Sequence, residues 1–400
     1  MTTGALGFQG RRLREARLAR GLFKTALADM IGVSVTAITN YEENEDAPQE
    51  FRVRELAERL NFPFGFFFRP PFDEDISLVH WRKRDVETKS AREMTEQRMR
   101  WICDIYSFLS EYVDFPRPAL PDIDVPADFR LISGTDIELA AQTARDCWGL
   151  DDHPIQDTIL ALENAGIPVS SLTISSDKQD GFSFYSEKLG VPFVGLNLLD
   201  ASSARARFDA AHELGHALLH RNVTSEQATN KQYHKVIEDQ AHRFAGAFLF
   251  PKDRFLSEVR ILSLDYLVQH KRRWGMSISA MIVRAGNLGL VDRQEMASLF
   301  RNLTRRGWRG PLREPYDDPK DSPLERPRML RRGFEALVKE RLFDGAALLR
   351  ELCLPKSEVE LISSLDPSFL LSASNRVRVS VRDLSATDLE SGNVIKFPGR

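Results

Sequence analysis

Apolar residues recur at helical spacing throughout the first 71 residues of the chain. The pattern predicts four short helices, over residues 11–20, 24–31, 35–43 and 52–60. Gly32-Val33-Ser34 separates the second helix from the third, and Ser34 is a favourable N-cap. Two helices joined by a three-residue turn with a glycine are typical of a helix-turn-helix. An aromatic-rich segment, residues 61–71, ends this unit.

Helical and alternating patterns then follow one another along the chain. Residues 92–113 have the spacing of one long amphipathic helix, and a proline-rich linker follows it. Beyond the linker the pattern predicts helices over 136–148 and 154–165, strands over 167–171, 180–185 and 192–198, and helices over 207–220, 235–250, 291–306, 329–349 and 357–365. Residues 376–382 alternate like an exposed strand, and a tail begins near residue 385.

These patterns predict an α+β multidomain protein. We expect an all-α helix-turn-helix domain over residues 1–71 and a bridging helix with its linker over 72–135. A central α+β domain with a small sheet should span 136–300, and a mainly helical C-terminal cap and tail should span 301–400. A chain of 400 residues is long enough for two to three domains.

Composition narrows the classes of protein that fit the chain. The net charge is −3, so any nucleic-acid binding must come from a local patch. The three cysteines are odd in number and far apart, which argues against a disulfide framework and favours a reducing compartment. The sequence has neither a signal peptide nor an apolar run of membrane-spanning length. We therefore expect a cytoplasmic protein without a membrane partner.

One helical stretch carries the clearest chemistry in the chain. It contains His212-Glu213-Leu214-Gly215-His216, an H-E-x-x-H pattern. Residues four apart lie on the same face of a helix, so His212 and His216 can bind one ion. Glu213 lies beside them, where it can accept a proton from a metal-bound water. Two imidazoles, one carboxylate and an open position are the usual ligands of catalytic zinc, so Zn²⁺ is the expected cofactor.

A third ligand is expected on the next helix. Glu238 lies 22 residues after His216, far enough for a loop and a returning antiparallel helix. Asp239 points about a quarter-turn away and is the weaker candidate. His242 follows one turn after Glu238 and could support His212 or His216, act as a spare ligand, or be a bystander. His220 is expected to be structural or to support a ligand.

Chance can also produce H-E-x-x-H in an unrelated helix, but three features argue against it here. The helix is apolar, Gly215 allows another segment to approach closely, and an acidic helix follows at a suitable distance. A small sheet precedes the motif, and its edge could hold an extended peptide. Tyr233 and His234 are candidates for stabilising an oxyanion.

The third N-terminal helix is expected to enter a major groove of operator DNA with its first residues at base edges. The candidate DNA-contacting residues are Lys24, Thr25, Ser34, Thr36, Ala37, Thr39 and Asn40. Helix-turn-helix proteins commonly bind paired half-sites, so a homodimer is expected. A small helical interaction domain without DNA is the alternative. Residues 1–70 hold ten basic and nine acidic residues, a net of +1, and four acidic residues end the third helix.

Two stretches resemble known families. "LREARLARG", "LADMIGVSVTAITNYE" and "LAERLNFPFGFFF" resemble the XRE, or lambda-repressor-like, helix-turn-helix family. "PIQDTILALENAGIPV", "DGFSFY", "RARFDAAHELGHALLH", "EDQAHRFAGAFLFP" and "RRWGMSISAMIVRAGNLGL" resemble the ImmA/IrrE metallo-endopeptidases. The second resemblance implies a zincin-like central domain, with His212, His216 and Glu238 as zinc ligands and Glu213 as general acid and base. His242 departs from that family, which more often has a small amide or acid there.

The combination predicts a DNA-binding regulator with a zinc endopeptidase domain. Its substrate would be a partner repressor or this chain itself, in a stress, mobile-element or toxin–antitoxin response. The alternative is an antitoxin-like repressor whose zincin domain senses or docks with little proteolysis. A weaker hypothesis is a regulator that binds a small metabolite through its C-terminal cap.

Overall fold

The computed structural model describes residues 4–72, 89–172, 181–374 and 395–396. The four N-terminal helices confirm the predicted pattern: α1 (Gly10–Ala19), α2 (Lys24–Ile31), α3 (Val35–Glu43) and α4 (Glu50–Leu60). Gly32 ends α2 in the left-handed conformation, at φ 64°. The Ser34 hydroxyl caps α3 by accepting a hydrogen bond from the Ala37 amide. A 3₁₀ turn, Phe64–Phe67, follows α4.

Charged side chains are buried inside this unit. Arg12 is 1% exposed and pairs with Glu15 at 2.8 Å and with Asp104 at 3.0 Å. Arg17 pairs with Glu42 at the end of α3, and both side chains are buried. The pair neutralises one of the four acidic residues that the sequence places at the end of the third helix.

The bridging helix, α5 (Lys89–Ser110), joins the N-terminal unit to the rest of the chain. Trp101 is fully buried and meets Phe62 edge-on, with ring centroids 5.7 Å apart. A two-residue strand, β1 (Val113–Asp114), ends the helix and pairs in parallel with Ile395–Lys396. The basic cluster Trp81–Arg84, which the sequence places before this helix, lies outside the described residues.

The central part contains the predicted helices and strands. In chain order they are α6 (Gly134–Cys147), α7 (Thr158–Asn164), β2 (Val169–Ser171), β3 (Gly181–Ser186), β4 (Val191–Leu196) and α8 (Ser203–Leu219). The strand order is β2-β4-β3, with β2 parallel and β3 antiparallel to the central β4. β3 is therefore an edge strand, and it packs against α8.

This sheet separates two hydrophobic cores. Phe182, Phe184 and Phe193 point into the core that includes α5 and the N-terminal helices. Val194 and Leu196 point into the core that includes α8. Alternation along the strands places successive side chains on opposite faces, so one sheet contributes to both cores.

Six helices follow α8 in the chain, and their buried residues belong to the same core as α8. They are α9 (Ser225–Thr229), α10 (Lys231–Leu249), α11 (Lys252–Glu258), α12 (Leu264–Trp274), α13 (Ile278–Asn287) and α14 (Arg293–Arg305). Within the described residues, no helix is both long and apolar enough to cross a membrane.

The C-terminal helices pack on the N-terminal side of the molecule. They are α15 (Met329–Lys339), α16 (Gly345–Leu352), α17 (Lys356–Ile362) and α18 (Phe369–Ser374). Their buried residues share one core with α5 and the helix-turn-helix. Glu358 pairs with Arg98 at 3.2 Å and with Arg20 at 3.3 Å. The strand predicted over residues 376–382 lies outside the described residues. β5 (Ile395–Lys396) lies within the predicted tail.

Two buried carboxylates tie the C-terminal segment to α7. Glu325 accepts hydrogen bonds from the Thr158 and Ile159 amides, at the start of α7. Glu163, near the end of α7, accepts hydrogen bonds from the Arg328 and Met329 amides, at the start of α15. Each carboxylate therefore satisfies amides that a helix leaves without partners at its first turn.

The stability of this junction should depend on pH. Burial raises the pKa of Glu163 from 4.5 to about 7. Between those values Glu163 binds more protons in the folded chain than in the unfolded chain, so the contribution of Glu163 to stability falls as pH rises. Glu163→Gln cannot titrate and should remove a fall of up to about 3 kcal/mol between pH 4.5 and 8. Urea unfolding across this range measures the effect.

The exposed Glu111 provides the control. Glu111→Gln should keep the slope of the wild type, and part of that slope should persist in Glu163→Gln because burial also raises the pKa of Glu325 to about 7. Identical slopes for Glu163→Gln and wild type would contradict the assignment.

Candidate metal centre and DNA-contacting surface

Two buried histidines lie one turn apart on α8. His212 and His216 are 4% and 3% exposed, and their Nε2 atoms are 3.0 Å apart. A buried polar ring on an apolar helix needs a partner, and two imidazole nitrogens in contact cannot both donate a proton to each other. The pair is therefore suited to share a cation.

Glu238 reaches the same point from α10. Its Oε1 lies 3.4 Å from His216 Nε2, and its Oε2 lies 3.6 Å from His212 Nε2. Ligands about 2.0–2.1 Å from a tetrahedral zinc ion are about 3.3 Å from one another. The three separations, 3.0, 3.4 and 3.6 Å, bracket that value, so the donor set fits a zinc ion.

The helices come together through a glycine, as the sequence analysis expected. A Cβ on Gly215 would lie 3.0 Å from Cδ1 of Phe244 on α10. Any larger side chain at this position would push α10 away from α8. Gly215 thus permits the close approach that places Glu238 beside the histidines.

The protonation states also suit a metal. Burial lowers the pKa of His212 to about 3, which keeps its imidazole neutral. Burial alone would raise the pKa of Glu238, but the interactions of its carboxylate with His212 and His216 outweigh burial and hold that pKa below its ordinary value. Neutral imidazole and ionised carboxylate are the forms that bind metals.

Glu213 is held by a residue that the sequence analysis did not identify. The Ser183 hydroxyl on β3 donates a hydrogen bond of 2.9 Å to Glu213 Oε2. A Cβ on Gly181 of the same strand would lie 3.1 Å from Glu213 Oε1. Strand alternation points both positions at α8, a signal that becomes usable only once the strand is known to border that helix.

His220 and Gln240 lie behind His216. His220 Nδ1 is 3.1 Å from His216 Nδ1, and His220 Nε2 is 3.0 Å from Gln240 Oε1. Gln240 Nε2 donates to the carbonyl oxygens of Phe129 and Ile132, at 2.7 and 3.3 Å. His220 was a candidate from the sequence, whereas Gln240 was not.

His242 lies on the other side, next to His212. Their ring centroids are 4.4 Å apart, and His242 Nδ1 lies 2.7 Å from the Glu238 carbonyl oxygen. Ligand atoms of His212, Glu238 and His242 fall within 4.8 Å of one another. Asp239 is exposed.

The two oxyanion candidates from the sequence, Tyr233 and His234, lie in the first turn of α10. Tyr233 meets Phe129 edge-on, with ring centroids 5.6 Å apart. The His234 amide donates to the Asn230 carbonyl, within the first turn of α10.

A cavity of about 440 Å³ adjoins the histidines. Its walls include His212 and His242 and the apolar side chains of Phe208, Met276, Val283, Phe300, Trp308 and Leu312. One wall is the segment 308–317, which Lys271 holds through Glu314 at 3.0 Å and Asp317 at 2.6 Å. These charges are paired and buried, so the wall is fixed in place.

The candidate DNA-contacting residues fall into two groups. Thr25, Ser34 and Thr36 are exposed, and Ala37 and Asn40 are half-buried. Lys24 donates to the Thr39 hydroxyl at 3.1 Å and lies 3.7 Å from Glu42. Lys24 and Thr39 thus contact each other, while the first turn of α3 is open.

Two family models match separate parts of the chain. A family model described as helix-turn-helix matches residues 13–67. A peptidase family model described as the IrrE N-terminal-like domain matches residues 162–285. The chain therefore joins an XRE-type helix-turn-helix to an IrrE/ImmA-like segment. A comparison with curated proteins gave no match.

Measurements of zinc binding can distinguish the role of Glu238 from that of His242. Glu238→Ala should lose most bound zinc because it removes one of three donors. His242→Ala should keep one zinc per chain, since His212, His216 and Glu238 remain. Metal analysis after dialysis against zinc gives the stoichiometry.

Asp239→Ala is the matched control, one residue away on the exposed face. It should bind zinc as the wild type does. Full zinc occupancy in Glu238→Ala would exclude Glu238 as a ligand.

Proposed function

We propose that this chain is a DNA-binding transcriptional regulator that carries a zinc-dependent endopeptidase. The observation that carries the proposal is the position of Glu213. This buried carboxylate follows His212 in the chain, and Ser183 of the edge strand β3 holds it. A general base, three donors for Zn²⁺ and an edge for an extended peptide thus meet at one place.

Each group has a defined task in peptide hydrolysis. Zn²⁺, held by His212, His216 and Glu238, would polarise the scissile carbonyl and lower the pKa of water. Glu213 accepts a proton from the attacking water and later donates it to the leaving amine. Ser183 keeps Glu213 Oε2 oriented during both transfers. The free edge of β3, which pairs with no further strand among the described residues, would hold the peptide by main-chain hydrogen bonds.

The cavity beside His212 supports a protein substrate. Apolar atoms make up most of the surface that lines it, while charged residues such as Asp200, Arg205 and Asp209 also face it. The cavity is large enough for one side chain of an extended peptide. Because the peptidase and the helix-turn-helix share one chain, we infer that the substrate is a repressor at the same promoter or this chain itself. A stress, mobile-element or toxin–antitoxin response fits such a pair, and the regulator would act as a homodimer in the cytoplasm.

A second function is a sensor or docking module with little proteolysis. The position of His242 favours it, because a ring nitrogen of His242 is a fourth potential donor near His212 and Glu238. A protein ligand in the fourth position would take the place that catalytic zinc sites keep open. Such a chain would still act as an antitoxin-like repressor.

Glu213→Gln tests the peptidase. The variant keeps the size of the side chain and all three zinc donors but cannot accept a proton. Zinc-loaded wild type should cleave itself or a protein encoded beside it, and the variant should be about 10²–10⁴-fold slower. Electrophoresis and mass spectrometry of the products give the rate and the site.

The exposed Glu340 supplies the control. Glu340→Gln should cleave like the wild type. If the wild type and Glu213→Gln bind zinc equally and neither cleaves any of these proteins, the sensor function replaces the peptidase.

DNA binding can be tested at Thr36, which is exposed in the first turn of α3. Thr36→Glu places a carboxylate against DNA phosphates and should weaken binding to the chain's own promoter by at least about tenfold. Wild-type affinity should fall as salt rises. Fluorescence anisotropy measures both effects.

Thr304→Glu makes the same change at an exposed residue of α14, outside the helix-turn-helix. It should leave affinity unchanged. Equal affinities for Thr36→Glu and wild type would favour a protein-interaction role for the N-terminal unit.

A further inference from the structure

We propose that His220 and Gln240 are positioning residues that fix the tautomer of His216 for metal binding. The proposal rests on metal binding by the site, not on peptide cleavage. Four hydrogen bonds form a buried network that starts behind His216 and ends at two backbone carbonyls. Each step leaves one chemically consistent direction for the proton.

The carbonyls at the far end of the network determine the direction of its hydrogen bonds. Gln240 Nε2 lies 2.7 Å from the Phe129 carbonyl oxygen and 3.3 Å from the Ile132 carbonyl oxygen. Carbonyl oxygens only accept, so this atom is the amide nitrogen and Oε1 faces His220. The Gln240 side chain therefore offers His220 an acceptor.

The next step orients His220. Its Nε2 lies 3.0 Å from Gln240 Oε1 and must donate to it. The proton of a neutral imidazole is then used, so His220 Nδ1 presents a lone pair to His216 Nδ1, 3.1 Å away. His216 Nδ1 must in turn donate.

The last step reaches the metal. A neutral His216 with its proton on Nδ1 has a lone pair on Nε2, the atom that faces His212 and Glu238. Hydrogen bonds of this kind fix ring orientation and raise the basicity of a ligand. The network is dry, since His216, His220 and Gln240 are 3%, 0% and 7% exposed. Water therefore cannot easily replace a lost partner.

This hydrogen-bond network extends beyond the segment that matches the peptidase family, because it ends at the Phe129 and Ile132 carbonyls. Phe129 belongs to a short 3₁₀ turn, Phe129–Leu131, ahead of α6, and the family match begins at residue 162. Glutamine suits its position because it accepts from His220 and donates to carbonyls at once. Glutamate would keep the acceptor but would face the two carbonyls without a proton to donate.

The first test needs no variant. Long-range ¹H–¹⁵N correlation spectra of the full chain with ¹⁵N-labelled histidine distinguish the two imidazole tautomers. We expect His220 to be protonated on Nε2 and His216 on Nδ1. Each signal is assigned by its absence from the spectrum of a variant in which that histidine is replaced. A His220 protonated on Nδ1 in the wild type would overturn the proposal, whether or not any substitution folds.

The second test measures zinc affinity by competition with a chelator. Gln240→Met keeps the volume of the side chain and removes both hydrogen-bonding functions. It should weaken zinc binding about 10- to 100-fold. Gln240→Glu should also weaken binding, because its carboxylate has no proton to donate to the two carbonyls. The His220 signals should show a changed tautomer population in Gln240→Met, whereas Gln240→Glu keeps the acceptor for His220 and should keep its tautomer.

Gln97 gives a matched control, because it is a buried glutamine on α5, 5% exposed. Gln97→Met should bind zinc like the wild type. Unchanged zinc affinity in Gln240→Met would overturn the proposal. Absence of peptide cleavage by a wild type that binds zinc normally would instead count only against the peptidase.

Discussion

The contact between Gly215 and Phe244 sets the geometry on which the metal centre depends. The Phe244 ring occupies space that a Cβ on Gly215 would need, so α8 and α10 approach closely. This approach brings Glu238 within 3.4 Å of His216 without a loop to position it. Sites built on packed helices hold their side chains more precisely than sites on loops. The donor set is thus a property of the α8 core.

The sheet links this site to the half of the molecule that contains the helix-turn-helix. On one face of β3, Ser183 holds Glu213. On the other face, Phe184 stacks on Phe193 of β4, which meets Tyr106 of α5 at 5.2 Å. Since α5 shares its core with the helix-turn-helix, a displacement of α5 would be transmitted to β3, the strand that holds Glu213. Packed cores transmit such strain because they contain few voids.

Local patterns predicted most of the helices and the three donors, because both depend on spacing along the chain. Helix periodicity placed His212 and His216 on one face, and the acidic helix at Glu238 followed at a plausible distance. Ser183 and Gln240 could not be predicted, because their roles depend on which strand and which turn lie beside them. The burial of Arg12 and Arg17 could not be predicted for the same reason, because their partners, Asp104 and Glu42, lie on other helices.

Whether the site acts as a peptidase or as a sensor depends on the surroundings of His212. His216 has its proton direction defined by His220 and Gln240, whereas His212 Nδ1 is buried without a hydrogen-bond partner among the described residues. The nearest ring to His212 is His242, at a position where the resembling family more often has an amide or acid. An amide or acid could accept the Nδ1 proton of His212, whereas His242 already spends its own Nδ1 proton on the Glu238 carbonyl. With its proton on Nδ1, His242 has a lone pair on its other nitrogen, Nε2. That nitrogen either completes the support of His212, which leaves the fourth position open, or binds the metal and closes it.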